Sequence, residues 1–197
     1  MKPLLIAIAC SALAASAMAI HVEGKPGDRI GVLMVSQQAA STTDIRIAES
    51  VLNYLRDELT ARGFDAFRMQ TTYDLLRRDD RPAAAYFIEI VSSHAEANMQ
   101  GSVAAAMGPV ATEFGMVVGR VAAEVRVYDG RTLEMVDHLD LSQSHTVVAP
   151  TGIGIRGFPI VGWIAVPIAQ RTQIRAASHA VAREAADRIA SGVHGGR

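Results

Sequence analysis

The chain has 197 residues, a formal net charge of −1, one cysteine, and about half of its residues are apolar. That composition supports a packed core and excludes disorder along the whole length. The charge balance argues against a nucleic-acid binder, and a lone cysteine excludes a disulfide framework or a multi-cysteine metal centre. Only Lys2 and Lys25 are lysines among the nineteen cationic residues, which reads as compositional bias rather than chemistry.

Residues 1–19 read as a secretory signal peptide. Lys2 precedes an apolar stretch from Leu4 to Ala15, and Ala17, Met18 and Ala19 form an A-x-A ending. The apolar run is shorter than the roughly 20 residues of a spanning helix. Residues 20–197 are then expected as one α+β domain, exported to the periplasm, with outer-membrane association a further expectation. Cleavage after Ala19 removes Cys10. The rival reading makes Cys10 the lipid-bearing first residue, after Ala7, Ile8 and Ala9, but leaves a very short apolar signal.

Ile30 to Ser36 is a continuous apolar run that fits a strand buried on both faces. Ser41 to Asp44 is a helix cap. Ile45, Ala48, Leu52, Leu55 and Leu59 then give one apolar stripe on a helix ending before Gly63. Phe64 to Met69 fits a second strand, and Thr71 to Arg78 a short helix. Ala84 to Val91 alternates as a strand, with Glu89 on the same side as Phe87. Val121, Ala123, Val125 and Val127 alternate with Arg120, Glu124, Arg126 and Tyr128. Asp129 and Gly130 supply a turn in which glycine accommodates positive φ, and Leu133 to Leu141 return. Gln170 to Ala190 is a helix with Ile174, Ala177, Val181, Ala185 and Ile189 on one stripe. Arg183/Asp187 and Glu184/Arg188 are paired on its exposed side, and His179 lies on the surface.

This order predicts an α+β fold. It has a mixed or antiparallel sheet of four to five strands, packed with two main helices as an α/β sandwich. Two Gly-rich apolar insertions interrupt it. Residues 99–119 carry Glu113 as their only charge, and residues 147–169 carry only Arg156.

The order of elements, with the hairpin from Val125 to Val136, resembles the periplasmic domain shared by three groups. They are the curli-secretion channel subunit, the lipoprotein activators of penicillin-binding proteins, and the TolB amino-terminal domain. Asp129, Thr132, Glu134 and Val136 match the family hairpin, and Leu133 stands where the family has glycine. The resemblance covers about residues 29–192. It implies a non-catalytic envelope protein that binds partners or oligomerises. In the curli channel, segments inserted around this hairpin build a membrane barrel, and the two apolar segments here hold similar places.

Motifs for chemistry are sparse. Gly152, Gly154 and Gly157 match G-x-G-x-x-G, but Phe158 and Pro159 follow where the dinucleotide fingerprint needs a helix start. No cofactor is expected. His138 and Asp140 share a strand face, which is two ligands where a closed zinc site needs four. No catalytic or metal residues are assigned, and no small-molecule substrate or nucleic acid is expected. Residues 147–169 are the lead: Ile155, Phe158, Ile160, Trp163 and Ile164 are the candidate contacts to an envelope protein, a second copy or a membrane surface. Residues 99–119, with Gly115 and Gly119 spaced for close packing, are a second candidate. The alternatives are a hydrolase-like enzyme with a cleft near Glu89, which requires Glu89, His138 and Asp140 around one pocket, and an oligomeric channel-forming subunit at the outer membrane.

Overall fold

A computed structural model describes residues 25–35, 41–76, 81–107, 110–155, 158–159 and 165–191. The elements in chain order are β1 (Arg29–Val32), α1 (Thr42–Ala61), β2 (Asp65–Arg68), α2 (Tyr73–Leu76), β3 (Tyr86–Met107), β4 (Val110–Asp129), β5 (Met135–Ile155), β6 (Phe158–Pro159) and α3 (Ala165–Ser191). The sheet has six strands in the order β2-β1-β3-β4-β5-β6. Strands β1, β2 and β3 are mutually parallel where they pair, while β3 to β6 form an antiparallel meander. The fold is α+β, with one more strand than expected. The extra one is the two-residue β6.

The two apolar segments are not insertions beside the sheet. Residues 99–107 continue β3, 110–119 begin β4, and 147–155 complete β5. Residues 99–107 and 110–119 pair with each other as an antiparallel hairpin. The pairing runs, with bulges at Gly101 and Thr151, to Met107↔Val110 and Val110↔Ile155.

Both long helices lie on one face of the sheet. Ser41 caps α1 by accepting a hydrogen bond from the Asp44 N–H at 3.2 Å. The buried stripe of α1 is Ala48, Val51, Leu52, Leu55 and Leu59. Ile45, expected on this stripe, is exposed instead. Along α3, Ala177, Val181, Ala182, Ala185, Ala186 and Ile189 are buried. These residues close over Ile30, Val32, Ile88, Ile90, Val121, Val125 and Val127 in one cluster. Four alanines on α3 leave a thin side-chain layer, so the helix sits close to the strands. At Gly119 the approach is closest: a Cβ placed there would lie 2.7 Å from the Gln173 backbone.

The helices are joined by charge as well as by packing. Arg62 reaches Asp187 at 2.6 Å and Glu58 at 2.5 Å. His179 meets Glu58 at 3.1 Å and packs its ring edge-on against Tyr54 at 5.1 Å, so it belongs to the α1–α3 seam rather than to open surface. Arg188 pairs with Glu184 as the spacing predicts, but Asp187 turns to Arg62 instead of Arg183.

On the opposite face, a smaller cluster of Leu33, Leu76, Phe87, Tyr128 and Leu133 lies under α2. The β4–β5 turn feeds it. Asp129 Oδ1 accepts the N–H groups of Arg131 and Thr132, each at 2.8 Å. Positive φ falls on Leu133, at 60°, and not on Gly130. Gly130 is required for a different reason: its N–H donates to the Ala85 carbonyl at 2.7 Å, and any Cβ there would collide with the Ala84–Ala85 backbone. The left-handed backbone at Leu133 costs about 1–2 kcal/mol. Burial of the leucine side chain returns a similar amount.

Gly119→Ala must push α3 off the sheet, because the obstruction is helix backbone rather than a flexible side chain. The expected loss is about 1–3 kcal/mol of unfolding free energy, read from urea denaturation, with the far-ultraviolet spectrum retained.

Candidate functional site

The alternation along β4 is uninterrupted, so its odd-numbered residues from Val117 to Val127 face the helices and its even-numbered residues face away. The register places partners from β3 and β5 on the same outer face. That face has three zones. At one end lies the cluster under α2. The middle is polar. The distal end, past the reach of both helices, is apolar.

At the first end, Glu89 is only 3% exposed. The Tyr128 hydroxyl donates to Glu89 Oε2 at 2.9 Å, while Glu89 Oε1 is buried with no hydrogen-bond partner. Tyr128 stacks on Tyr73 at 4.0 Å, and the Tyr73 hydroxyl donates to the Leu133 carbonyl at 2.7 Å. Burial and the Glu89 carboxylate beside it push the Tyr128 hydroxyl well above the ordinary range for a phenol.

The polar zone follows. Glu124 accepts from Arg126 at 2.7 Å and lies 3.2 Å from His138 Nε2, and Ser92 donates to it at 3.3 Å. Partial burial alone would raise the Glu124 carboxyl, but Arg126, His138 and Ser92 outweigh it and hold the group below its ordinary value. Glu124 and Asp140 are direct cross-strand partners, with His138 in reach of both. A shallow depression of about 330 Å³ opens here over Ala122, rimmed by Ser92, His94, Glu124, Asp140 and Ser142. Glu89 and His138 do not line it, although His138 and Asp140 share the face as expected. Glu89, His138 and Asp140 are therefore not gathered around one pocket. Among the described residues no group of three or more acidic, histidine or cysteine side chains is placed to hold a metal ion.

The distal zone is the distinctive surface. Val103 pairs with Phe114 and Phe114 with Pro150, while Met116 pairs with Val148. Val103 is 72% exposed and Val148 66%; Val110, Phe114 and Met116 are also exposed. An apolar face of this kind, open to solvent on three strands, is unusual on the surface of a monomeric soluble protein. The inner side of the same strands carries small residues, among them Ala104, Ala111, Gly115 and Gly152, with Glu113. Among the described residues no helix is long and apolar enough to cross a membrane, a statement that does not extend to strands.

Of the contacts expected from sequence, the backbones of Ile155 and Phe158 pair with each other at the β5–β6 turn. Ile160, Trp163 and Ile164 lie outside the described residues. The outer-face residues Val103, Phe114, Met116 and Val148 were not singled out by sequence. The signal for two of them was the period-two pattern of Val110, Thr112, Phe114 and Met116 against Ala111, Glu113, Gly115 and Val117.

No protein-family model matches the chain, and no curated protein sequence matches it. Solved structures do. A hemagglutinin homolog from Helicobacter pylori, described as neuraminyllactose-binding, aligns with a TM-score of 0.51 at 10% identity, over 88% of this chain and 91% of that one. A minor lipoprotein from Acinetobacter baumannii aligns at 0.49 and 10% identity, over 83% and 93%. An uncharacterised lipoprotein B from Nitrosomonas europaea aligns at 0.37 and 14% identity, over 90% and 94%. The first of these shows a shared overall fold, and identities this low carry no function across.

Two outcomes follow from the outer face. Tyr128→Phe strips the partner from a buried carboxylate and is expected to cost about 1–3 kcal/mol; adding Glu89→Leu should recover part of that loss, both read by urea denaturation. Asp129 is held below its ordinary value, first by the Thr132 N–H, then by Arg131 and the Thr132 hydroxyl, against partial burial. Its folded value is depressed, so the stability it contributes is present above the ordinary carboxylate range and disappears as pH falls through the lowered value. Glu124 acts in the same direction. Asp129→Asn should therefore flatten the fall of the denaturation midpoint between about pH 5 and pH 2.

Proposed function

We propose that this chain is a non-catalytic exported protein of the cell envelope that works by association, and that the distal outer face of β3, β4 and β5 is the surface it uses. The observation carrying this reading is the row of exposed apolar residues Val103, Phe114, Met116 and Val148 on adjacent strands. A patch of this kind on three neighbouring strands is costly in water and is relieved by a partner or a second copy. The signal-peptide pattern of residues 1–19 supports a periplasmic location, and the apolar surface supports contact with the outer membrane or a protein in it. Ile155 at the end of β5, with Phe158, Ile160, Trp163 and Ile164 after it, continues the same composition and belongs to the proposed surface.

A hydrolase acting near Glu89 is the weaker alternative. Glu89 is closed off, and its one engaged oxygen is taken by Tyr128. The channel-forming subunit is favoured by a specific feature. The stretches 99–107, 110–118 and 147–155 each match the roughly 9–11 residues of a tilted membrane strand. Their alternation of apolar outer and small inner residues is that of a barrel wall.

Phe114→Asp combined with Val148→Asp is expected to abolish association, seen by light scattering after size-exclusion chromatography, with circular dichroism unchanged. Unfolding of this variant would show that the face is core rather than interface. An oligomer that forms only in detergent supports the channel subunit over a soluble partner, and a strict monomer with and without detergent sinks self-association.

A further inference from the structure

We infer that the amino-terminal halves of α1 and α3 form a docking surface for the phosphates of an anionic lipid layer, held by Arg46, Arg171 and Arg175. The inference takes only the envelope location from the reading above. It concerns the helical side of the molecule, not the distal outer face.

The two helices run parallel: Glu58 meets His179 and, one turn on, Arg62 meets Asp187. Along that half of the seam the charges answer one another, with Glu58 facing Arg62, His179 and Arg183. The other half is different. From Ala165 to Arg183, α3 carries three arginines and no acidic residue. Arg171 and Arg175 are exposed, as is Arg46 on α1. None of these three side chains has a hydrogen-bond or ion-pair partner among the described residues. The acids closest to Arg46 in sequence are engaged elsewhere, Asp44 with Ser41 and His94, and Glu49 with Arg68. The sequence stretches 36–40 and 160–164, which precede the two helices, contain no acid.

The sheet brings the three arginines to one end of the helical layer. The Ser93 hydroxyl donates to the Asp44 carbonyl at 2.8 Å, and Gln170 donates to the Ala97 carbonyl at 3.4 Å. Those anchors are four residues apart on β3, about 13 Å. Arg46 follows the first anchor by two residues and Arg171 the second by one. Like charges gathered without counter-ions repel, and a bound anion relieves them. Arginine suits phosphate because its planar fork donates two parallel hydrogen bonds. The neighbouring apolar side chains favour a lipid layer over an acidic protein or a free anion. Ile168 is 58% exposed one turn before Arg171, and exposed Ile45 adjoins Arg46. Arginines beside exposed aliphatic side chains suit the membrane interface, where cations meet phosphates and aliphatic tips enter the headgroup boundary. Gln173 lies on Gly119, so Arg171 and Arg175 stand where β4 passes from Arg120 into its distal stretch, in which Glu113 is the single charge.

The test uses the chain as recovered from the periplasm of the producing cell. Cosedimentation is measured with vesicles of equal parts phosphatidylglycerol and phosphatidylcholine, and with vesicles of phosphatidylcholine alone. The expected result is a preference for the anionic vesicles that falls with added salt. Arg46→Gln, Arg171→Gln and Arg175→Gln together should weaken that binding roughly a hundredfold, about fivefold per arginine. Ile168→Asp should weaken it several-fold. Wild type and variants share one N-terminus, so affinity residing there cancels in the comparison. Arg29→Gln, Arg56→Gln and Arg188→Gln remove the same charge from ion-paired positions elsewhere and should change little. An equal loss in that control would overturn the site in favour of net charge. Circular dichroism and light scattering on the same samples separate this surface from the association reading. The arginine variant should keep the wild-type fold and assembly, and loss of assembly together with vesicle binding would overturn a separate site. Binding of inorganic phosphate without preference between the vesicles would overturn the lipid assignment, as would no binding to either vesicle.

Discussion

Length is the constraint on which the rest of this structure depends. Strand β4 has 20 residues, and at about 3.3 Å per residue it extends to roughly 66 Å. Helix α1, also of 20 residues, is about 30 Å long, and the 27 residues of α3 reach about 40 Å. Two helices on one face cannot cover a three-stranded meander of that length. Part of the sheet must find other cover or remain in water, and the composition of the strands changes where the helices run out. The core side of β4 reads Val127, Val125, Val121 and Val117, all fully buried, and between the last two Gly119 lets α3 touch the backbone. Beyond Val117 the inner side falls to Gly115, Glu113 and Ala111, which need no cover.

The outer face shows the complementary change. Its middle is built of Ser92, His94, Glu96, Arg120, Glu124, Arg126, His138 and Asp140, several of which pair with one another and all of which are comfortable in water. Its distal third is apolar. Had the meander simply been oversized, the same polar pattern would have continued to the tip at little cost. Instead the outer face turns mostly apolar, while the inner face of the same stretch carries small residues around Glu113.

Much of the helical layer and the central hairpin was legible in the sequence because the periodicity was strong. Leu52, Leu55 and Leu59, and Val121 to Val127, each carry a single period with polar residues between. The distal strands were harder to read because both of their faces lack charge. Alanine and glycine blur the period-two signal, and without polar punctuation an apolar run reads as a loop. Pro150 reinforced that reading, since proline removes a ladder hydrogen bond. It is accommodated because the Thr151 bulge interrupts the β4–β5 register beside it and β5 has one open side. Leu133 was opaque for a different reason. A leucine at positive φ looks unfavourable locally, and only the cluster of Leu33, Phe87 and Tyr128 beneath it offsets the cost. Likewise, nothing in the letters around Glu89 reveals that Tyr128, 39 residues away, closes over it.

The polarity of the distal sheet also limits what can cover it. Glu113 lies on the inner side, next to Gly152, with alanines on the flanking rows, so a hydrocarbon or a packed helix laid against that side would strand a carboxylate. The outer side has no such group among Val103, Phe114, Met116 and Val148. Under the association reading proposed above, a cover of lipid or protein seats on the outer face and leaves the Glu113 side wet, because only the outer face can be taken out of water without stranding a charge.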